Sequence, residues 1–171
     1  MPAMLAHMRP RRIPPAPGQE SVWDYPRPPA VEPVAALVRV VLAGVTIAES
    51  TSALRVLETS HPPNYYLPPH DIIFGHLEAG ARRSFCEFKG LAHYWSVVVG
   101  DRREVDAAWS YPSPSPGYEA LADHVACYAA RMDECWVGDE RVTPQPGGFY
   151  GGWVTSAVVG PFKGVPGSMG W

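Results

Sequence analysis

The residues best suited to chemistry lie in a proline-rich loop, Glu58 to Asp71, which reads E-T-S-H-P-P-N-Y-Y-L-P-P-H-D. Its prolines stiffen a segment that carries acidic, hydroxyl, histidine and tyrosine side chains, and catalytic groups must be held in place before a substrate arrives. Glu58 and His61 could serve as an acid/base pair. Tyr65 or Tyr66 could donate a hydrogen bond at the same site. The alternative is a proline-rich corner whose polar groups satisfy its own backbone.

A second candidate is F-C-E-F-K-G, Phe85 to Gly90, in which Glu87 and Lys89 fall on one face of a predicted strand. On an exposed sheet their ion pair would contribute under roughly 1 kcal/mol to the stability of the fold. If the same face meets both the proline-rich loop and the segment Gln145–Trp153, the pair lies in a dry cleft where its pKa values are shifted. Cys86, beside Glu87, is a further candidate nucleophile, although free cysteines are mostly small buried hydrophobic residues.

The segment from Gln145 to Trp153 reads Q-P-G-G-F-Y-G-G-W. Glycine is used where the backbone takes φ > 0 or where another group comes close. The aromatic rings beside these glycines supply flat surfaces for packing or for stacking a ligand. We therefore expect this segment, called here the glycine-aromatic segment, to form one wall of a site.

Two shorter motifs complete the candidate residues. D-A-A-W-S-Y-P supplies Asp106, Trp109 and Tyr111, which we expect to brace the site or the core. G-P-F-K-G presents Lys163 between glycine-rich turns, where it could hold an anion such as phosphate; a lysine on a turn is otherwise simply solvated. The predicted catalytic residues are Glu58, His61, Glu87 and Lys89. The predicted ligand-binding residues are Tyr65, Tyr66, Trp109, Gln145, Phe149, Tyr150, Trp153 and Lys163.

Several familiar chemistries are excluded because their motifs are missing. The chain has no G-x-x-x-x-G-K-[ST] loop, no G-x-G-x-x-G after a strand and no G-x-S-x-G elbow. Its three cysteines lack zinc-ribbon spacing and its six histidines form no H-x-x-x-H pair, so we predict no metal and no cofactor. A net charge of −3, with 14 Lys+Arg against 17 Asp+Glu, argues against nucleic acid or anionic membrane as a partner.

Composition predicts a globular protein of the cytoplasm. The 171 residues suit one domain, and 46% hydrophobic against 18% charged residues is typical of a folded chain. An odd number of cysteines without C-x-x-C indicates reduced thiols. Prolines follow the N-terminal arginines where a signal peptide needs an apolar run, and no segment approaches the roughly 18 apolar residues of a membrane span.

The elements that must position these residues are predicted to be short β-strands. Apolar β-branched runs and turn residues predict strands over residues 37–42, 45–48, 53–57, 72–77 and 85–89, and hairpins over 93–109 and 132–142. One short helix is predicted over 118–124. This pattern is typical of a mostly β domain, a small antiparallel barrel or sandwich.

Proline sets the N-terminal region apart, since nine of the 20 prolines fall in the first 33 residues. We predict a flexible leader over residues 1–18 and a single β-rich domain over 19–171. Trp23 and Tyr25 are costly to leave in water, so the segment around them is expected to lie as an extended arm with both rings buried. The alternative is a plain disordered leader.

The motifs together resemble the bacterial and fungal domain-of-unknown-function family DUF427, over about Pro17 to Trp171. They are W-D-Y-P-R-P-P, L-E-T-S-H-P-P-N-Y-Y-L-P-P, F-C-E-F-K-G, D-A-A-W-S-Y-P, Q-P-G-G-F-Y-G-G-W-V-T-S and V-G-P-F-K-G. The resemblance implies one compact β-rich domain, similar to the tent-like β folds. The family is sometimes labelled nucleotidyltransferase-like, but the D-x-D and G-S signature of those enzymes is missing here. The resemblance supplies no catalytic residues.

Two functional hypotheses follow. In the first, the protein is a small-molecule enzyme or ligand sensor with an aromatic-lined pocket, and Glu58, Glu87 and Lys89 must then share one cleft. In the second, it is an interaction module whose exposed aromatic surface binds a peptide or partner chain. A third and weaker hypothesis makes every aromatic part of the core. The ligand, the reaction and the oligomeric state stay open.

Overall fold

The computed structural model describes residues 9–171, which form fifteen strands and no α-helix. The strands are β1 (Glu20–Ser21), β2 (Ala30–Pro33), β3 (Val38–Leu42), β4 (Val45–Ser50), β5 (Leu54–Leu57), β6 (Asn64–Tyr66), β7 (Leu77–Cys86), β8 (Gly90–Val99), β9 (Arg102–Ser110), β10 (Val125–Cys127), β11 (Glu134–Val137), β12 (Glu140–Arg141), β13 (Thr143–Pro144), β14 (Trp153–Val154) and β15 (Val158–Val159). Single turns of 3₁₀ helix lie at Val22–Asp24, Pro69–Asp71, Phe74–His76, Glu119–Leu121 and Ala129–Arg131.

Two four-stranded antiparallel sheets form the body of the molecule, with strand orders β12-β11-β3-β4 and β10-β9-β8-β7. Val38, Val40 and Leu42 from the first sheet pack with Val97 and Ala107 from the second in one buried cluster. The described residues close no barrel, so the architecture is a small β-sandwich-like fold. The mostly β prediction is confirmed.

The sheet β10-β9-β8-β7 also has an aromatic second face. Because side chains alternate along a strand, Tyr94 and Trp109 point away from the sandwich core and join a separate cluster with Tyr66 and Val56. Val56 and Tyr66 belong to a three-stranded sheet of order β2-β5-β6. This second face positions the candidate site described below.

The N-terminal arm packs on its own chain. β1 pairs in parallel with β15, and Trp23 and Tyr25 are buried, which confirms the predicted arm. Trp23 Nε1 donates a hydrogen bond to the Pro161 carbonyl oxygen at 2.9 Å. The predicted flexible leader, residues 1–18, lies partly outside the described residues; within them, Ile13 N–H donates to the Gly160 carbonyl oxygen at 3.0 Å.

Most predicted strands are present, but three segments differ. In residues 72–77, Ile72 forms only an isolated antiparallel bridge with Ala48, Phe74–His76 form a 3₁₀ turn and Leu77 begins β7. Strand β7 stops at Cys86, and residues 87–89 turn into Gly90, whose φ is 105°. The helix predicted over 118–124 shrinks to the 3₁₀ turn Glu119–Leu121, because so short a segment cannot offset the cost of helix nucleation.

Candidate functional site

A cleft of about 360 Å³ opens on the aromatic second face. Eight of the twelve predicted site residues line it: Glu58, His61, Tyr66, Lys89, Trp109, Phe149, Tyr150 and Lys163. They come from the loop after β5, from β6, from the turn after β7, from β9, from the glycine-aromatic segment and from the chain after β15. Tertiary structure thus brings together residues from distant parts of the sequence.

Two predicted ligand-binding residues lie in the core instead. Tyr65 and Trp153 are buried and stack on each other with ring centroids 5.1 Å apart. Trp153 Nε1 donates to the Cys127 carbonyl oxygen at 3.0 Å. Tyr65 and Tyr66 are neighbours on one strand and therefore point to opposite faces, so only Tyr66 reaches the cleft.

Glu87 lies outside the cleft. It is exposed in the turn after β7 and lines a separate shallow groove with Phe88 and Pro29. Because the strand ends at Cys86, the expected shared face of Glu87 and Lys89 does not form. Within residues 9–171 the two side chains make no ion pair. Only Glu58 and Lys89 share the cleft, so the condition that all three residues lie in one cleft is not met and Glu87 is removed from the predicted site.

The side chain of Gln145 fixes the orientation of His61. Gln145 Oε1 accepts a hydrogen bond from Gly152 N–H at 3.0 Å, while its Nε2 donates to the Lys163 carbonyl oxygen at 2.8 Å and to His61 Nδ1 at 3.0 Å. An amide NH₂ group can only donate, so His61 Nδ1 is an acceptor and the proton of the neutral ring is on Nε2. The Nε2 nitrogen lies 3.6 Å from Glu58 Oε2, which is too long for a hydrogen bond and leaves the Nε2 proton available to another acceptor.

His61 is held neutral at physiological pH. Burial lowers its pKa from 6.5 to about 4, because the charged imidazolium loses its hydration. Glu58 acts in the opposite direction, whereas the positive charges of Lys163, Arg27 and Lys89 lower the pKa further. The Glu58 carboxylate itself is paired with Arg27, Nη2 to Oε2 at 3.2 Å.

Lys89 is a buried cation, with only 7% of its surface exposed. Its Nζ lies 6.0 Å from the centroid of the Tyr111 ring, and within residues 9–171 it makes no ion pair and no hydrogen bond to oxygen. Burial disfavours the charged amine, but the neighbouring Tyr66, Cys86 and Glu58 side chains outweigh it and raise the pKa of Lys89. The amine is therefore an ammonium ion at neutral pH.

Lys163 also lines the cleft. Its Nζ is 5.5 Å from the centroid of the Tyr150 ring and donates to the Trp171 carbonyl oxygen at 3.2 Å. Tyr150 in turn packs edge-to-face on His61, with ring centroids 4.8 Å apart. The glycine-aromatic segment thus links Lys163 to the histidine.

The glycines of that segment are required by close packing. A Cβ on Gly151 would overlap the ring of Trp109. A Cβ on Gly152 would lie 2.5 Å from both the Pro62 carbonyl oxygen and Gln145 Oε1. Only glycine therefore lets the backbone carry Phe149 and Tyr150 across the mouth of the cleft.

Sequence reasoning missed several lining residues on β7 and beyond, above all Arg82. Its guanidinium stacks over the Tyr94 ring at 4.4 Å, and Ser84 Oγ lies 2.8 Å from Tyr94 Oη. Arg82, Ser84 and Cys86 share one face because they are spaced two apart. A strand predicted over 77–86 instead of 85–89 would have placed Arg82 and Ser84 on the same face as Cys86, which was already a candidate. Tyr128 and Asn64, which also line the cleft, carried no comparable signal.

The structure is a small β-sandwich-like fold with a cleft lined by aromatic residues, two lysines and Arg82. The sequence profile of the domain of unknown function DUF427 matches residues 30–138, well over half of the chain. The chain belongs to that family, as the resemblance indicated. The match includes Glu58, His61 and Lys89 but ends before Gln145 and Lys163. A search of curated proteins gave no match.

Two further structural findings concern the described part of the chain, residues 9–171. None of its helical segments is long and apolar enough to cross a membrane. None of its His, Cys, Asp or Glu side chains gather in a group of three or more that could hold a metal ion. Cys86, Cys127 and Cys135 are free thiols.

Proposed function

We propose that the protein binds a small organic molecule in the cleft, as an enzyme or a ligand sensor, with His61 and Glu58 as its proton-handling pair. The observation that carries this proposal is the chain of contacts Gln145–His61–Glu58, which leads from the buried interior to the cleft. A buried histidine whose tautomer is set by a second side chain is typical of sites that donate or accept protons in a fixed direction.

The two residues would have different roles. His61 would donate a hydrogen bond from Nε2 to a ligand oxygen or nitrogen, because the ring is neutral and its Nε2–H has no close acceptor. Glu58, a carboxylate paired with Arg27, would accept a proton or a hydrogen bond. A neutral histidine donor beside a carboxylate could polarise a carbonyl and remove a nearby proton.

The shape of the site favours a small molecule over a macromolecular partner. The cleft is concave, its volume falls within the roughly 300–1,000 Å³ of ligand pockets, and its walls are mainly aromatic with a few convergent polar groups. The interaction-module hypothesis draws on Phe85 and Phe149, whose side chains are 76% and 71% exposed. Both belong to the rim of the same cleft, where they could also cover a ligand.

A thermal-shift screen against metabolites tests the proposal. A ligand at a hundredfold excess over its Kd adds about 2.7 kcal/mol of stability, which for a domain of this size raises Tm by roughly 5–10 °C. The hit should be lost in His61→Asn, which keeps an acceptor for Gln145 but removes the Nε2–H donor. Glu87→Gln is the matched control, since Glu87 lies outside the cleft and its loss should leave the shift unchanged.

Two results would contradict the proposal. One is a hit whose shift is the same in His61→Asn and in the wild type. The other is a screen of several hundred diverse metabolites with no stabilising compound, combined with capture of a peptide that Phe149→Ala abolishes. That second result would favour the interaction module.

A further inference from the structure

Every lysine of this chain lies at the same cleft. Of the 14 Lys+Arg residues only two are lysines, Lys89 and Lys163, and both line it. Arg82 is a third cation on its wall. Among the described residues that line the cleft, Glu58 is the sole carboxylate, and Arg27 already pairs with it. A protein with a net charge of −3 thus concentrates positive charge at one concave site.

Lys89 is a buried cation that lacks a paired counter-charge in the cleft. Its side chain is more than nine-tenths buried, faces the cleft and forms no ion pair within residues 9–171, and Glu58, the carboxylate that shares the cleft with it, is already paired with Arg27. A buried charge without a counter-charge is unfavourable unless something compensates it. Lys163 uses one of its three N–H donors for the Trp171 carbonyl oxygen and keeps the others. An external anion would supply the partner that the protein does not.

The side chains that line the cleft around the lysines indicate what the rest of the ligand is like. Trp109, Tyr128 and Tyr150 line the cleft with their rings, and no leucine, isoleucine, valine or methionine is among the described lining residues. Phe149 packs edge-to-face on Tyr150, with centroids 4.9 Å apart, and leaves 71% of its surface exposed. Exposed aromatic faces at a pocket rim favour stacking against a planar ring.

We infer that the ligand is a small anion built on a planar ring, with a carboxylate or phosphate group bound by Lys89 and Lys163 and its ring stacked on the aromatic wall. The inference rests on the proposed function and names the substrate class of that same cleft. In this arrangement the His61 Nε2–H and the Glu58 carboxylate face the ring or its substituents, while the anionic group neutralises Lys89.

Matched probes test the charge requirement. Benzoate and phenyl phosphate carry the anionic groups in question, and benzamide is a neutral compound of nearly the same shape as benzoate. We expect both anions to bind at least about tenfold more tightly than benzamide, measured by calorimetry or by NMR titration. Raising NaCl from about 0.05 M to about 0.5 M should weaken the anions and leave benzamide unchanged. If replacing Lys163 weakens the binding of phenyl phosphate more than that of benzoate, phosphate is the preferred group, because its two negative charges engage both lysines.

Variants assign the effect to the lysines. Lys89→Met and Lys163→Met keep chain length and remove charge, and each should weaken anion binding about tenfold or more without affecting benzamide. Arg39→Met is the matched control, because Arg39 lies on the other four-stranded sheet, over the Trp136 ring. If Lys89→Met does not fold, Lys163→Met and the salt titration still decide the question. Lys89→Arg, which keeps the charge, should retain binding.

The outcomes separate this inference from the proposed function. If the metabolite screen yields a neutral hit that depends on His61, and the anions bind no better than benzamide, the inference is wrong and the proposed function stands. If Lys89→Met and Lys163→Met both fold and bind the anions as the wild type does, the inference is wrong as well. If neither anions nor any other compound binds the cleft, both fail.

Discussion

The buried, neutral state of His61 makes a quantitative prediction about acid stability. In the native protein the imidazole has a pKa of about 4, against 6.5 for an exposed histidine. As the pH falls below 6.5 the unfolded chain binds a proton at this position while the native protein does not. Stability is therefore present in full above about pH 6.5, is lost as the pH falls toward about 4, and changes no further below that.

The size of the effect follows from the shift in pKa. A difference of about 2.5 pKa units corresponds to about 3.4 kcal/mol when complete. Between about pH 7.5 and about pH 4.5 the His61 contribution to the free energy of unfolding should fall by about 2.5 kcal/mol. Carboxylates also titrate in this range, so the informative quantity is the difference between wild type and His61→Asn. The side-chain amide in that variant keeps the acceptor for Gln145 but has no titration of its own.

Urea denaturation across this pH range, monitored by tryptophan fluorescence, provides the assay. Wild type should lose about 2.5 kcal/mol more than His61→Asn over this range. Histidine side-chain NMR of the native protein should show the His61 ring neutral, with its proton on Nε2, down to about pH 5. Parallel stability curves for wild type and His61→Asn, or a native His61 titrating near 6.5, would refute the reasoning.

Two further substitutions test the packing that supports the site. Gly151→Ala should destabilise the protein by about 1–3 kcal/mol, because the added methyl group would overlap the Trp109 ring, whereas Gly75→Ala, where the added Cβ meets nothing within 4 Å, should change the urea midpoint little. Trp153→Phe should cost more than Trp136→Phe by about 1–3 kcal/mol, because Trp153 Nε1 bonds the Cys127 carbonyl oxygen while Trp136 Nε1 is buried without a partner. Equal losses in either matched pair, measured by urea denaturation, would contradict these assignments.

Local sequence signals were sufficient for most of the strands. The β-branched run at residues 37–42 and the turn at Ala43–Gly44 predict a hairpin, and the structure has β3 and β4 there. The signals failed where chain geometry competes with composition. Ile72 and Ile73 suggest a strand, yet they lie between the 3₁₀ turns Pro69–Asp71 and Phe74–His76. They pair with β4 only through an isolated bridge from Ile72 to Ala48 and a hydrogen bond from Ile73 N–H to the Ile47 carbonyl oxygen.

The sequence also identified the right segments for the cleft but not always the right residues within them. A pleated strand places neighbours on opposite faces, so an error of one position exchanges a cleft residue for a core residue. Tyr66 reaches the cleft while Tyr65 stacks on Trp153. In the turn after β7, Lys89 is buried at the cleft and Glu87 faces away from it.

By themselves, the amino-acid types and their spacing determined a β-rich domain, a stiff polar loop and a glycine-aromatic segment, because backbone preferences and side-chain chemistry act locally. Tertiary structure alone decided that Gln145 sets the tautomer of His61, 84 positions earlier, and that both lysines meet at one cleft. Those contacts join segments far apart in sequence, and their geometry depends on how the sheets pack rather than on any local pattern.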